Sequence, residues 1–117
     1  MKSTVTNTAI GRQAEQQAGY FLQTHGFTVI ASNWRTRWCE IDIVAIKDEI
    51  VYFVEVKYRR SAEQGSGSDY ITNRKLQQMH FAAEIWVRSN RWRGGYRLAV
   101  VEVGGLDFAI TGFWDDV

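Results

Sequence analysis

The sequence predicts an α/β fold in which a mixed five-stranded sheet is flanked by helices. Three observations predict it. Apolar residues at helical spacing recur in two separate stretches, around residues 8–25 and 73–89. Runs rich in β-branched residues fill the intervals between and after them. Their order is helix, three strands, helix, two strands, which places helices against a sheet of mixed direction.

The first helix runs from Thr8, as a cap, to about His25. Ile10, Ala14, Ala18, Phe21 and Leu22 form its apolar stripe, and Gly26 stops it. Residues 1–7 lack a pattern and read as a loose tail. Phe27–Ala31 is a short first strand. In extended form, Trp34, Thr36 and Trp38 then face one way and Arg35 and Arg37 the other. The second and third strands, Cys39–Ile46 and Ile50–Lys57, form a hairpin around Lys47-Asp48-Glu49. Ser61–Asp69, rich in glycine and serine, reads as a mobile loop. Thr72 caps the second helix, whose stripe is Leu76, Met79, Ala83, Trp86 and Val87, with His80 beside it as a structural histidine. A turn at Asn90–Gly95 leads to a strand at Tyr96–Val103, and Gly104-Gly105 turns the chain into a last strand near Asp107–Phe113.

The 117 residues suffice for one domain with a real core. A hydrophobic fraction of 45% and an aromatic fraction of 14% exclude a disordered chain. No apolar run approaches the ~20 residues that span a bilayer, and the N-terminus lacks the apolar segment of a signal peptide, so a cytoplasmic location is expected. The single cysteine, Cys39, excludes an internal disulfide and a multi-cysteine metal site and reads as a small strand hydrophobe. His25 and His80 do not have the spacing of a zinc site. A net charge of +1 does not mark a polyanion binder, but one basic face suffices for nucleic acid.

The hairpin carries the chemistry. Both strands look buried on two faces, yet the first holds Glu40 and Asp42 and the second Glu55 and Lys57. Buried carboxylates are costly unless paired or bound to metal. Glu55 and Lys57 share a face, about 6.5–7 Å apart at the backbone. Asp42 joins that face only if it lies opposite Glu55, with Asp48-Glu49 as a two-residue turn; a slip of one residue separates them. The apolar residues do not decide, because both faces are hydrophobic in either register. Two carboxylates suit Mg²⁺ or Mn²⁺, which keep waters and take phosphate oxygens. A neighbouring lysine can orient the attacking water or offset charge in the transition state. Glu15, near the Ala14/Ala18 side of the first helix, reads by itself as a solvated residue.

At these residues the sequence resembles the YraN-like family of small bacterial proteins, within the PD-(D/E)xK nuclease-like superfamily. The matching stretches are Gly11–Leu22 (Gly-x-x-x-Glu-x-x-Ala-x-x-x-Leu), Gly26-Phe27, Asn33-x-Arg35, Glu40-Ile41-Asp42, Phe53-Val54-Glu55-Val56-Lys57-x-Arg59 and Lys75. The resemblance implies a restriction-endonuclease-like αβββαβ core, akin also to Holliday junction resolvases. It implies that Asp42 and Glu55 bind metal, that Lys57 assists the water, and that Glu15 is the first-helix carboxylate linked to such a site. Two departures stand out: Cys39 replaces the glycine before Glu40, and Ala99 stands where the late strand usually carries aspartate.

The expected function is therefore Mg²⁺- or Mn²⁺-dependent phosphodiester hydrolysis on DNA, including structured or branched DNA. The competing reading is a non-catalytic nucleic-acid-binding or protein-assembly module on the same fold. Arg35, Arg37, Arg59, Arg60, Lys75, Arg91 and Arg93 are the candidate nucleic-acid contacts. DNA is a better partner than RNA, no membrane is expected, and the tryptophans offer surface for a homodimer.

Overall fold

The computed structural model describes residues 7–60 and 71–117. The elements, in chain order, are α1 (Asn7–Thr24), β1 (Thr28–Arg35), β2 (Glu40–Lys47), β3 (Ile50–Arg59), α2 (Asn73–Asn90), β4 (Tyr96–Gly104) and β5 (Ala109–Trp114). They form one five-stranded sheet in sequence order, antiparallel except for the parallel β3–β4 pair that α2 connects. This is the mixed sheet with flanking helices and the αβββαβ order that the sequence predicts.

The strands read as continuous apolar runs because the sheet is covered on both sides. Ile43, Ala45, Tyr52, Val54, Ala99, Val101 and Val103 pack with Ala14, Ala18 and Leu22 of α1. The intervening residues Val44, Val51, Phe53, Leu98 and Val100 pack with Met79, Ala82, Ala83 and Trp86 of α2. Alanines on both helices bring them close to the strands. Each fully buried aliphatic such as Leu22 or Val100 contributes about 1.5–3 kcal/mol relative to exposure.

Local signals set the element ends. Gly26 has φ +89 and closes α1, with the Phe27 N–H donating to the Leu22 carbonyl at 3.0 Å. The Thr72 hydroxyl caps α2 by accepting the Lys75 N–H at 3.0 Å. Asp48 and Glu49 form the β2–β3 turn, with φ of 52 and 66. Positive φ at both central residues matches the right-handed twist of a hairpin, and here it is held without asparagine or glycine. That turn pairs Lys47 with Ile50 and Ile43 with Val54, which is the register that puts Asp42 opposite Glu55.

Several local expectations are corrected. Thr8 lies inside α1, which begins at Asn7, so it is not the cap. The extended reading of 34–38 fails because β1 ends at Arg35 and Thr36–Cys39 turns. The Thr36 hydroxyl accepts the N–H groups of Trp38 at 3.1 Å and Cys39 at 3.2 Å, and the Thr36 N–H donates to the Cys39 carbonyl at 2.8 Å. Cys39 belongs to this turn, not to the strand. His80 is exposed, so it has no structural role in the core. The loop expected at 61–69 lies outside the described residues, as does the N-terminal tail up to residue 6. Among the described residues no helix is long and apolar enough to cross a membrane.

Candidate active site

The sheet forks at the acidic end of the hairpin. The last β2–β3 pair is Ile43 with Val54. Beyond it β2 stays with β1, as far as Glu40 opposite Arg35, while β3 stays with β4, as far as Arg59 beside Gly104. Ladder bonds between β2 and β3 are absent there, so other groups must satisfy the exposed backbone. Asp42 supplies one of them: its Oδ2 accepts the Val56 N–H at 2.8 Å.

Side-chain alternation breaks at the same point. Ile41 packs on the α2 side and Ile43 on the α1 side, so Asp42 between them serves neither core. Its carboxylate sits in the fork, where it meets acids from both layers: Glu55 of β3 and Glu15 of α1. Burial, first, and then the charge of Glu55 push the Asp42 pKa up to about 8. The Val56 N–H opposes the rise, and the charge and hydrogen bond of Glu15 add to it. The reading of Glu15 as a solvated helix residue therefore gives way to contact with Asp42.

Glu55 is held from α2, whose Lys75 Nζ lies 3.0 Å from Glu55 Oε2. The Thr72 cap fixes the turn that presents this lysine. Lys57 lies two residues further along β3, on the face of Glu55, and makes no ion pair among the described residues. Asp42, Glu55, Glu15 and Lys57 thus gather around the fork by three routes: a broken alternation, a helix, and the β3 face that Glu55 and Lys57 share.

The residues suit one kind of metal. Among the described residues, no group of three or more His, Cys, Asp or Glu side chains is arranged to hold an ion. That does not fit zinc, which wants four closed ligands or three and a water. Two crowded carboxylates, one of them forced to keep its proton, do fit a hydrated hard cation, because Mg²⁺ or Mn²⁺ relieves their repulsion and retains waters. Oδ2 of Asp42 is engaged by the Val56 N–H, and Glu15 reaches the same carboxyl from α1.

The cations do not form the single rim expected of them. Arg59 is only 8% exposed and pairs through Nε with Glu102 Oε2, itself 5% exposed, whose other oxygen accepts the Thr111 hydroxyl at 2.7 Å. The buried Glu102 of β4 draws it inward, so Arg59 is a core ion pair and not a phosphate contact. Lys75 is engaged with Glu55. Arg91 and Arg93 lie at the opposite end of the sheet: Gly95, just beyond them, accepts the Val51 N–H at the start of β3. From Val51 to Glu55 is about 13 Å of strand. Arg35, 3.6 Å from Glu40, and Arg37, 5.2 Å above the Trp38 ring, flank the fork on the β1–β2 side and are exposed. Arg60 is exposed at the end of β3.

Sequence reasoning missed Glu102 and Phe81. An acid inside the apolar run Tyr96–Val103 was the available signal for Glu102. Phe81 falls off the apolar stripe of α2, and an aromatic residue out of phase with its helix was the signal there. Two grooves reach the site. One of about 530 Å³ lies between α2 and the 36–39 turn with Glu55 in its wall, and one of about 300 Å³ lies beside α1 with Glu15 in its wall.

Comparison with other proteins places the chain in a family. Residues 14–103 match the model of the uncharacterised protein family UPF0102. A UPF0102 protein of Pseudomonas fluorescens is 38% identical over 101 residues, covering 85% of this chain and 82% of its own. One from Pseudomonas putida is 36% identical over 111 residues, covering 93% and 90%. One from Cytophaga hutchinsonii is 32% identical over 100 residues, covering 86% and 88%. The match spans α1 from Ala14, the whole forked hairpin, α2 and nearly all of β4, and the chain belongs to the UPF0102 family.

Proposed function

We propose that the protein hydrolyses phosphodiester bonds of DNA, including branched or otherwise structured DNA, with Mg²⁺ or Mn²⁺. The observation that carries the reading is the fork, where Asp42 is crowded by Glu55 and Glu15 until it holds a proton to about pH 8. A sheet that needed only stability would not retain such a group. Asp42 and Glu55 would hold the ion, which when bound polarises the phosphoryl group and lowers the pKa of a water. Glu15 supports Asp42 from α1. The Lys75 ammonium, 3.0 Å from its Oε2, holds Glu55 in place. Lys57 has its ammonium uncommitted among the described residues, so it is available to orient the attacking water or to offset charge on the phosphorane-like transition state. A DNA substrate also fits a cytoplasmic location.

The second reading is a binding or assembly module. The near-neutral net charge of +1 and the dispersed arginines favour it. Calorimetric titration of Mn²⁺ separates the two. Binding heat in the wild type that disappears in Asp42→Ala and Glu55→Gln, together with cleavage in a panel of single-stranded, duplex, flap and four-way DNA, supports the nuclease. A folded wild-type protein that binds no Mn²⁺ at millimolar concentration and cuts none of the panel overturns it.

A further inference from the structure

The groove between α2 and the 36–39 turn has two exposed aromatic residues in its wall. Trp38 is 72% exposed and Phe81 50% exposed. Neither is needed by a core. Trp38 stands on a turn whose geometry is set by the Thr36 hydroxyl, which accepts its N–H, so the ring is presented outward by a built structure. Phe81 projects from α2, out of phase with the buried Met79, Ala82, Ala83 and Trp86.

The charges around these rings favour an anionic strand. The groove contains two carboxylates, but Glu40 lies 3.6 Å from Arg35 and Glu55 lies 3.0 Å from Lys75, so each is balanced. Arg74, in the groove wall, makes no ion pair among the described residues, and the Arg37 guanidinium lies over the Trp38 ring. The local balance is positive. Aromatic faces beside cations are the combination that binds unpaired nucleotides, because every base has a face to stack and every linkage a phosphate to neutralise. A duplex offers neither of its base faces.

We propose that this groove takes an unpaired stretch of a DNA strand, its bases stacked on Trp38 and Phe81 and its backbone carried past Glu55 to the fork. The inference rests on the nuclease reading for the last clause only. It narrows the substrate class to DNA with a single-stranded or splayed segment next to the scissile bond.

The test is fluorescence anisotropy in EDTA, which reads the groove without cleavage. The probes are labelled oligothymidine, an abasic strand of the same length and a blunt duplex of the same length. Trp38→Ala and Phe81→Ala should each weaken oligothymidine binding by about 5- to 100-fold, the range that base–aromatic stacking supplies, and leave duplex binding within about twofold. Trp38→Phe should retain most of the affinity, and the wild type should bind the abasic strand about as weakly as Trp38→Ala binds oligothymidine. Equal losses on single strand and duplex, no loss on either, or abasic binding as tight as oligothymidine overturns the proposal. Melting temperatures of the variants confirm that they are folded. Stacking without metal-dependent cleavage would retain the groove and sink the nuclease; cleavage indifferent to both aromatics would do the reverse.

Discussion

Two clusters of buried charge sit on the same strand and behave in opposite ways. At the end of β3, Arg59 meets Glu102, and Thr111 satisfies the remaining carboxylate oxygen. About 13 Å back along the strand, Asp42, Glu55 and Glu15 converge, with Lys75 as the one cation paired with them among the described residues. The first cluster is neutral and satisfied. The second is acidic and forces a proton onto Asp42 at neutral pH. Burial alone therefore does not mark a functional charge; what marks it is burial without enough opposite charge. The first cluster serves the fold, and the second is the one on which the proposed cation site rests.

The sharpest way to separate them is through Lys57 and Arg59, two residues apart on one strand face. Lys57→Ala should lower turnover by about 10²–10⁴-fold while Mn²⁺ and DNA binding persist, measured by single-turnover cleavage beside calorimetry. Arg59→Ala should leave Glu102 buried and unpaired, and cost about 3–5 kcal/mol in denaturant unfolding. Asp42→Asn should show the contrary sign: its amide oxygen still accepts the Val56 N–H, and the loss of a crowded carboxylate should leave the chain as stable as the wild type or more so. If Arg59→Ala is neutral and Asp42→Asn unfolds the protein, the comparison is wrong.

Titration sharpens it further. Folded Asp42 keeps its proton to about pH 8, whereas its ordinary value is 3.8. Between these values the folded state binds the extra proton, so this group favours folding at the low end and its contribution is lost as pH rises through 8. The melting temperature in EDTA should fall across that window, and Asp42→Asn should flatten the fall. Mn²⁺ uptake should expel about one proton per ion well below pH 8 and none well above it, as read by calorimetry in buffers of different ionisation heat.

The smallest effects concern the outer arginines. Charge removal at Arg37, beside the fork, should lower DNA affinity and reduce the log–log salt slope by about 0.9 on duplex. Removal at Arg91 and Arg93, at the far end of the sheet, should change affinity by less than about twofold. A larger loss there would move the DNA path across the whole sheet.

The sequence carried the fold well because its periodicities are clean. Alternating cores on both sheet faces, the Thr72 cap and the Gly26 stop are all local signals. The candidate site was legible as residues but not as an arrangement. Apolar residues on both faces leave the hairpin register open, and the turn that fixes it, Asp48-Glu49, lacks the asparagine and glycine that advertise positive φ. The fork is a property of where pairing stops, which no single residue announces. Arg59 reads as part of an exposed basic run until Glu102 draws it inward. Arg91 and Arg93 are basic like the others, and only the parallel β3–β4 pairing shows that they belong to the other end.

The two-residue turn also bears on the order of assembly. A hairpin closed by so short a loop forms in microseconds, whereas the β3–β4 pairing must wait for the whole α2 crossover to close. Asp42 and Glu55 are therefore drawn together early, while water still screens them. Glu15 completes the cluster only as α1 docks on the sheet. The electrostatic penalty falls on the last steps of folding rather than on nucleation, so a change that relieves it should slow unfolding and leave the rate of folding nearly untouched.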